Sequence, residues 1–249
     1  MDQDLLKTST KQRVIIAVIA ILMLGSMIAS YAAIVMGKNN NSTSSSSDPL
    51  IAKYEGPYTE AVRKVESATK SYFNDFVGYK GEVVAYNEVS ANGEGLKTRD
   101  LKVGDGRELV DGDKNYLAFY VGWCADETIF DSSYDTTTNP SAFARILDPG
   151  NGLIEGWDVG VIGMKLGGIR EVTIPGELAY GESREICGGT NKPLKFIIMA
   201  VDKTEELSAV SDELSLAETK LQYAYYGLDY DEMMSGEDEE DYEDEELAE

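Results

Sequence analysis

The side chains of this chain that could do chemistry are one carboxylate and several aromatic rings. Asp131 follows Phe130 directly and precedes two serines, while Trp157 and Tyr180 come later in the same half of the chain. The sequence contains no histidine, which excludes imidazole acid–base catalysis, histidine-assisted nucleophiles and histidine metal sites. Its two cysteines are too few for a structural zinc site. We therefore expect an aromatic-lined pocket with one carboxylate at its edge, and neither a metal nor another cofactor.

Residues 89–204 carry the sheet and helix patterns that would position these side chains. β-rich runs are predicted at residues 96–103, 115–123, 169–174 and 194–201. Residues 154–164 form one short helical pattern with Trp157, Val161 and Met164 on one face. Several strands and a single short helix predict an α+β domain, in which an antiparallel sheet folds over that helix.

The order of short motifs within residues 89–204 resembles the FKBP-type (immunophilin) peptidyl-prolyl isomerases. Phe130-Asp131-Ser132-Ser133 is the most specific of these motifs. Four further segments match in order: Gly104-Asp105-Gly106, Phe119-Tyr120-Val121-Gly122, Leu153-Ile154-Glu155-Gly156-Trp157 and Leu178-Ala179-Tyr180-Gly181. The resemblance implies an FKBP-like fold and peptidyl-prolyl cis-trans isomerase activity.

The resemblance also implies roles for individual residues. It assigns catalysis to Tyr120, Asp131 and Tyr180. It assigns substrate binding to Phe130, Phe143, Leu153, Ile154, Trp157, Ile186 and Phe196. The Ile154 amide and the Tyr180 hydroxyl would be donors to the substrate, and Asp131 a polar wall. Rotation about an X–Pro bond breaks amide resonance, a barrier of ~18–20 kcal/mol, but makes no new bond, so a dry aromatic cleft suits it.

Proline-containing polypeptides are the partners that the resemblance implies, with a rapamycin-class macrolide as a further ligand. The chain departs from the family at residues 182–192, which lack the usual apolar and proline-rich character of the loop that covers the pocket. Ile186 is expected to replace the apolar contact of that loop, and Arg145 occupies a position that is often apolar. The alternative function is therefore a catalytically weak FKBP-like binding module or holdase chaperone.

The two cysteines are expected to form a disulfide. Cys124 follows the second strand, and Cys187 lies in the loop that leads into the last strand. In the fold of the family these two strands are antiparallel neighbours, which would bring the two thiols together. The bond would fix the unusual loop beside the pocket.

Residues 14–36 are 23 consecutive residues without a charge, which is long enough for a transmembrane helix. Three basic residues precede them: Lys7, Lys11 and Arg13. We expect a cytoplasmic N-terminus at residues 1–13, a single-pass anchor in the cell membrane and an extracytoplasmic C-terminal body that assists protein folding. A signal peptide cleaved after Ala32 remains the alternative.

The other segments are predicted to flank the isomerase domain. Residues 37–50 form a polar linker, and residues 51–88 a helical spacer whose amphipathic part, 59–77, begins after Pro57. Residues 205–228 have an apolar seam that fits a docked helix or a dimeric coiled coil. Residues 229–249 hold 13 of the 45 acidic residues and no Lys or Arg, which predicts a disordered acidic tail. The rest of the chain is also acidic, which argues against nucleic acid as a partner.

Overall fold

The computed structural model describes residues 48–136 and 140–235. Within them an antiparallel sheet of five strands has the order β1-β4-β5-β2-β3. The strands are β1 Lys97–Lys102, β2 Tyr116–Trp123, β3 Ile129–Ser132, β4 Ile169–Ile174 and β5 Leu194–Asp202. The helices are α1 Pro49–Phe76, α2 Glu88–Gly93, α3 Glu155–Gly160, α4 Glu205–Tyr225 and α5 Tyr230–Ser235. The predicted α+β class with an antiparallel sheet over one short helix is confirmed for these residues.

Strand β2 is buried on both faces because a different layer covers each face. Tyr116, Ala118 and Tyr120 face the cluster that contains Trp157 of α3. The residues between them face a second apolar cluster, which contains Phe73 and Phe76 of α1. All eight residues of β2 are buried, because alternate side chains point to opposite faces and both faces are covered.

Helix α3 is shorter than the predicted 154–164 segment, since it ends at Gly160 and the chain continues as a hydrogen-bonded turn. Val161 and Met164 nevertheless pack in the same cluster as Trp157, as their spacing indicated. The apolar positions therefore predicted the face correctly, although the regular helix stops one turn earlier.

Helix α1 begins at Pro49, ten residues before the predicted start, so Pro57 is not a start signal. Asp48 caps the helix by accepting a hydrogen bond from the Leu50 amide at 2.8 Å, and Pro49 occupies the first turn. Pro57 lies inside the helix, where it removes one hydrogen bond but does not end the helix. The end of the predicted linker at residues 48–50 therefore already belongs to the cap and first turn.

Helix α4 packs on α1 within the chain. Thr204 caps it by accepting from the Leu207 amide at 3.2 Å, and the seam residues Leu207, Leu214 and Leu221 are all buried. Lys64 of α1 and Glu213 of α4 form an ion pair at 2.6 Å across the two helices. The structure thus has the docked helix rather than a seam left exposed for a dimeric coiled coil.

The beginning of the predicted disordered tail is ordered, so that prediction is wrong for residues 229–235. Residues Tyr230–Ser235 form α5, and Asp229 just before it accepts from the Asp231 amide at 3.1 Å and pairs with Lys53 of α1 at 2.8 Å. The Lys53 ammonium, followed by the Tyr54 hydroxyl, lowers the pKa of Asp229 to about 2. Residues 236–249 lie outside the described residues.

The predicted membrane anchor at residues 14–36 and most of the predicted linker lie outside the described residues. Among the residues that the structure does describe, none of the helices combines the length and the apolar character of a membrane span.

Candidate active site

Four aromatic rings from four elements converge above α3. Trp157 of α3 is 3% exposed, and its ring lies edge-on at 5.3 Å from both Tyr120 of β2 and Phe196 of β5. Phe130 of β3 meets Phe196 edge-to-face at 5.6 Å. The Trp157 indole N–H donates to the Tyr116 hydroxyl at 3.2 Å, so the buried polar atom is satisfied. The rings form one apolar cluster at the place where the sequence predicts the floor and walls of a pocket.

Strand β2 passes directly beneath two of these rings at Gly122. A Cβ at this position would lie 2.6 Å from Phe196 and 2.8 Å from Phe130, which is closer than side chains tolerate. The glycine of the Phe119-Tyr120-Val121-Gly122 segment therefore allows the strand to support the two rings at close range.

Asp131 provides the single carboxylate at the edge of this aromatic group. The Tyr120 hydroxyl donates to Oδ2 at 2.5 Å, and the Ser132 amide donates to Oδ1 at 2.9 Å. Arg145 donates from Nη2 to Oδ1. The Asp131 side chain is 38% exposed, so it borders the pocket and also reaches solvent. Burial raises the pKa of the Tyr120 hydroxyl. The Arg145 guanidinium opposes this effect, and the Asp131 carboxylate adds to it.

Tyr180 lies on the segment after β4 and packs its partly buried ring against the aromatic cluster. Burial raises the pKa of the Tyr180 hydroxyl, and the Arg184 guanidinium opposes this from 4.7 Å above the ring centroid. Within the described residues, the Tyr180 hydroxyl makes no hydrogen bond to the protein. It therefore remains an available donor for a bound peptide.

Leu153 and Ile154 lie at the N-terminal end of α3 and pack, half-buried, against the same cluster. The Ile154 carbonyl accepts from the Trp157 amide at 3.0 Å. No backbone hydrogen bond engages the Ile154 amide in the part of the chain that the structure describes. Its N–H is thus a second donor beside the pocket floor.

The loop at residues 182–192 is fixed to the sheet by the expected disulfide. Cys124, just after β2, is bonded to Cys187, and the two Cα atoms are 5.5 Å apart. Ile186 and Gly189 exchange backbone hydrogen bonds at 2.9 and 3.2 Å, which makes a tight hairpin. Ile186 packs against the aromatic cluster. The disulfide therefore secures the hairpin that brings this side chain to the pocket.

Phe143 does not belong to this pocket, so its predicted role in substrate binding is wrong. It is 0% exposed, and its ring stacks on Phe119 at 4.1 Å, on the face of β2 that is covered by α1. The ring of Phe73 from α1 meets it edge-on at 5.2 Å. Because neighbouring residues of a strand point to opposite faces, contact with Phe119 excludes contact with the pocket of Tyr120.

Arg145 is the site residue that sequence reasoning did not assign a role. Its Nε donates to the Ser132 carbonyl at 2.9 Å, and its Nη2 donates to Asp131. One guanidinium therefore binds two consecutive residues of the Phe130-Asp131-Ser132-Ser133 motif. The only signal in the sequence was a charged residue at a position that is usually apolar. Its contact with Asp131 depends on the placement of β3 beside residues 142–147, which the sequence pattern does not indicate.

No cluster of histidine, cysteine, aspartate and glutamate suited to a metal ion occurs in residues 48–136 and 140–235. The polar groups of the pocket are therefore the carboxylate, the two tyrosine hydroxyls and the backbone amide. They can hold a peptide in an apolar cleft and polarise it through hydrogen bonds.

Comparison with known proteins matches the same part of the chain. A family model described as FKBP-type peptidyl-prolyl cis-trans isomerase matches residues 106–201. The FK506-binding protein of Neisseria meningitidis serogroup B is 40% identical over 108 residues, which are 43% of this chain and 93% of the relative. FK506-binding protein 4 of Neurospora crassa is 40% identical over 95 residues, which are 38% of this chain and 19% of that protein.

A solved structure matches as well. The crystal structure of a peptidyl-prolyl cis-trans isomerase from Pseudomonas syringae pv. tomato is 25% identical, with 43% of this chain and 73% of that chain covered and a TM-score of 0.34.

Proposed function

This chain belongs to the FKBP-type peptidyl-prolyl cis-trans isomerase family, and from that premise we propose which residues bind the substrate and catalyse its isomerisation. The chain is a peptidyl-prolyl cis-trans isomerase. Its catalytic groups are Tyr120, Asp131 and Tyr180, and the apolar pocket around them receives the proline ring. The observation that carries this assignment is the Tyr120–Asp131 hydrogen bond of 2.5 Å, set among four converging rings.

The geometry suits a reaction that rotates a bond without making one. A planar X–Pro amide is strongly polar, and water stabilises it, whereas the twisted amide has lost its resonance. An apolar cleft removes that water and so disfavours the planar state relative to the twisted one. Trp157 forms the floor under the proline ring, while the Ile154 amide and Tyr180 hydroxyl hold the peptide backbone. Asp131, through Tyr120, fixes the polar wall against which the carbonyl turns.

The remaining substrate-binding residues are Phe130, Leu153, Ile186 and Phe196, each of which contacts or belongs to the aromatic cluster. A macrolide of the FK506 or rapamycin class is a second ligand for this pocket. Support comes from the relatives, whose names describe them as FK506-binding proteins. The hairpin at Ile186 sets the width of the pocket for both kinds of ligand.

We place the domain outside the cytoplasm, on a single-pass anchor formed by residues 14–36, where it assists the folding of extracytoplasmic proteins. The uncharged run and the basic residues before it support this topology. The Cys124–Cys187 disulfide supports it independently, because disulfides persist mainly in oxidising compartments.

The activity is tested with the full chain in detergent and a short X–Pro peptide whose cis and trans forms are distinguished by NMR exchange. The wild-type chain is expected to accelerate exchange, and FK506 is expected to inhibit it. If the folded chain binds the peptide and suppresses aggregation of an unfolded protein but accelerates no X–Pro peptide, the holdase alternative replaces the catalytic assignment.

A further inference from the structure

Arg145 joins the catalytic carboxylate to a part of the chain that lies outside the family match. On one side its guanidinium donates to Asp131 and to the Ser132 carbonyl at 2.9 Å. Burial would lower its pKa, but the electrostatic effects of Tyr120, Asp131 and Glu218 outweigh burial and raise the pKa. Two of these neighbours belong to the pocket, whereas Glu218 belongs to α4. Arg145 therefore contacts the pocket directly through Asp131, and the charges that act on it include one from the helical layer of α1 and α4.

Helix α1 holds the segment that carries Arg145. The Thr69 hydroxyl of α1, which is fully buried, donates to the Val65 carbonyl at 2.8 Å and also lies 3.2 Å from the carbonyl of Phe143. The Phe143 ring is enclosed by Phe119 on one side and by Phe73 and Phe76 of α1 on the other, with ring centroids at 4.1, 5.2 and 5.3 Å. A backbone contact and a ring contact thus fix the chain two residues before Arg145.

Helix α4 contributes charge at the same point. Burial raises the pKa of the Glu218 carboxyl, and Arg145 is the neighbouring charge that opposes this effect. The charges of both residues also act on Tyr58 of α1. Burial raises the pKa of the Tyr58 hydroxyl, the Glu218 carboxylate raises it further, and the Arg145 guanidinium lowers it. The charged and titratable groups that face Arg145 are therefore Asp131 and Tyr120 from the sheet, Tyr58 from α1 and Glu218 from α4.

We propose that the layer formed by α1 and α4 positions Asp131 through Arg145, so that these helices complete the catalytic pocket rather than space it from the membrane. Both helices lie outside the residues 106–201 that match the family. Arg145 is a positioning residue in this arrangement, because its contacts are to Asp131 and Ser132. Asp131 supplies the opposite charge that a partly buried guanidinium needs, and Glu218, on the helix that packs against α1, adds to it. The inference rests on the proposed role of Asp131.

A double-mutant cycle on the full chain separates positioning from general stability. Arg145→Ala is expected to lower kcat/KM about three- to tenfold in the wild-type background. In the Asp131→Asn background the same substitution should change kcat/KM less than twofold, because the carboxylate on which it acts is already gone. Arg145→Lys, which keeps the charge but loses the two-point contact, should recover part of the activity. Thermal unfolding of each variant confirms that the compared proteins are folded.

Glu218→Gln tests the helix side of the link, with Glu213→Gln as its matched control on the same helix. Glu213 pairs with Lys64 of α1, so its substitution removes an equal charge and a contact between the two helices without facing Arg145. Glu218→Gln should lower kcat/KM about two- to threefold, and only when Arg145 is present, whereas Glu213→Gln should leave it within experimental error.

Two results would overturn the inference while leaving the isomerase intact. One is an equal loss on Arg145→Ala in the wild-type and Asp131→Asn backgrounds, which would indicate a general structural effect. The other is the absence of any loss in Arg145→Ala. A wild-type chain that accelerates no X–Pro peptide would instead contradict the proposed catalytic assignment itself.

Discussion

The carboxylate of Asp131 accepts hydrogen bonds from three donors that come from different stretches of the chain. Tyr120 belongs to the neighbouring strand, the Ser132 amide to the next residue, and Arg145 to the segment held by α1. Such a carboxylate is oriented before substrate arrives, so little reorganisation is needed during catalysis. At the residue scale, the site therefore consists of one oriented acceptor, two available donors and an apolar floor.

Asp131→Val and Tyr180→Phe each remove a polar group while keeping a similar size. We expect each to lower kcat/KM by about tenfold or less, because each removes one polar group beside the substrate, a hydrogen bond to the substrate contributes ~0.5–1.5 kcal/mol, and no covalent bond to the substrate is made. NMR measurement of cis–trans exchange in a short X–Pro peptide gives kcat/KM for both variants. Tyr226→Phe, at a tyrosine that is 61% exposed at the end of α4, is the matched control and should be neutral. A loss of a thousandfold in either variant would indicate a chemical role that this pocket does not have.

At the scale of elements, four of the five strands were predictable, whereas β3 and the side of the sheet that Phe143 covers were not. β4 has the predicted bounds Ile169–Ile174, and β2 begins one residue after its prediction, because alternating apolar residues are a local signal. The substrate-binding role predicted for Phe143 was wrong, because an aromatic residue type does not indicate which face of the sheet its ring covers. The start of α1 depended on Asp48 and Pro49, which outweigh Pro57. The short helix α5 is joined to α1 by the pair of Lys53 and Asp229, which lie 176 residues apart in the chain, so no local pattern indicates it.

The Cys124–Cys187 disulfide connects two elements of the pocket and spans 63 residues of sequence. Its reduction should lower the free energy of unfolding by ~2–4 kcal/mol, because the unfolded chain gains conformational freedom. It should also raise KM for an X–Pro peptide with little change in kcat, since the released hairpin carries Ile186. Urea unfolding and kinetics with and without dithiothreitol measure both effects.

The Cys124→Ala/Cys187→Ala variant is the control for that comparison, because dithiothreitol should have no effect on it. Equal unfolding midpoints and equal KM values for the oxidised and reduced wild-type chain would contradict the prediction.

The docking of α5 should depend on pH because its anchor is a carboxylate with a depressed pKa. Asp229 has a pKa of about 2 in the folded chain, below the ~3.9 of an unfolded aspartate. The ion pair with Lys53 therefore contributes fully above about pH 4 and is lost as the pH falls towards 2. The protection factors of the α5 amides, which correct for the intrinsic pH dependence of exchange, should fall over this range, and also in high salt, since the pair is exposed.

Asp229→Asn provides the control for that pH dependence, because it lacks the titrating group. Its α5 amides should have lower protection factors at neutral pH, and these should change much less between pH 4 and 2. Constant protection of α5 in the wild-type chain across that range would show that apolar contacts alone hold the helix.

At the scale of the whole molecule, the catalytic domain and the helical layer form one unit, since α1 and α4 cover the face of the sheet opposite the pocket. The helix that leads back towards the N-terminal segment therefore also supports the catalytic domain. Twelve residues, 37–48, separate the end of the uncharged run from Pro49 at the start of this unit.

The topology prediction is tested on intact cells that express the full chain. With the N-terminus in the cytoplasm and residues 14–36 in the bilayer, protease added outside should degrade the C-terminal domain. A cytoplasmic marker protein should survive in the same cells and be degraded only after permeabilisation. N-terminal sequencing of the mature protein should begin at residue 1 or 2, because an anchor is not cleaved. A mature N-terminus at Ala33 would show that the segment is a signal peptide and that the isomerase is released, and a protected domain would place it in the cytoplasm.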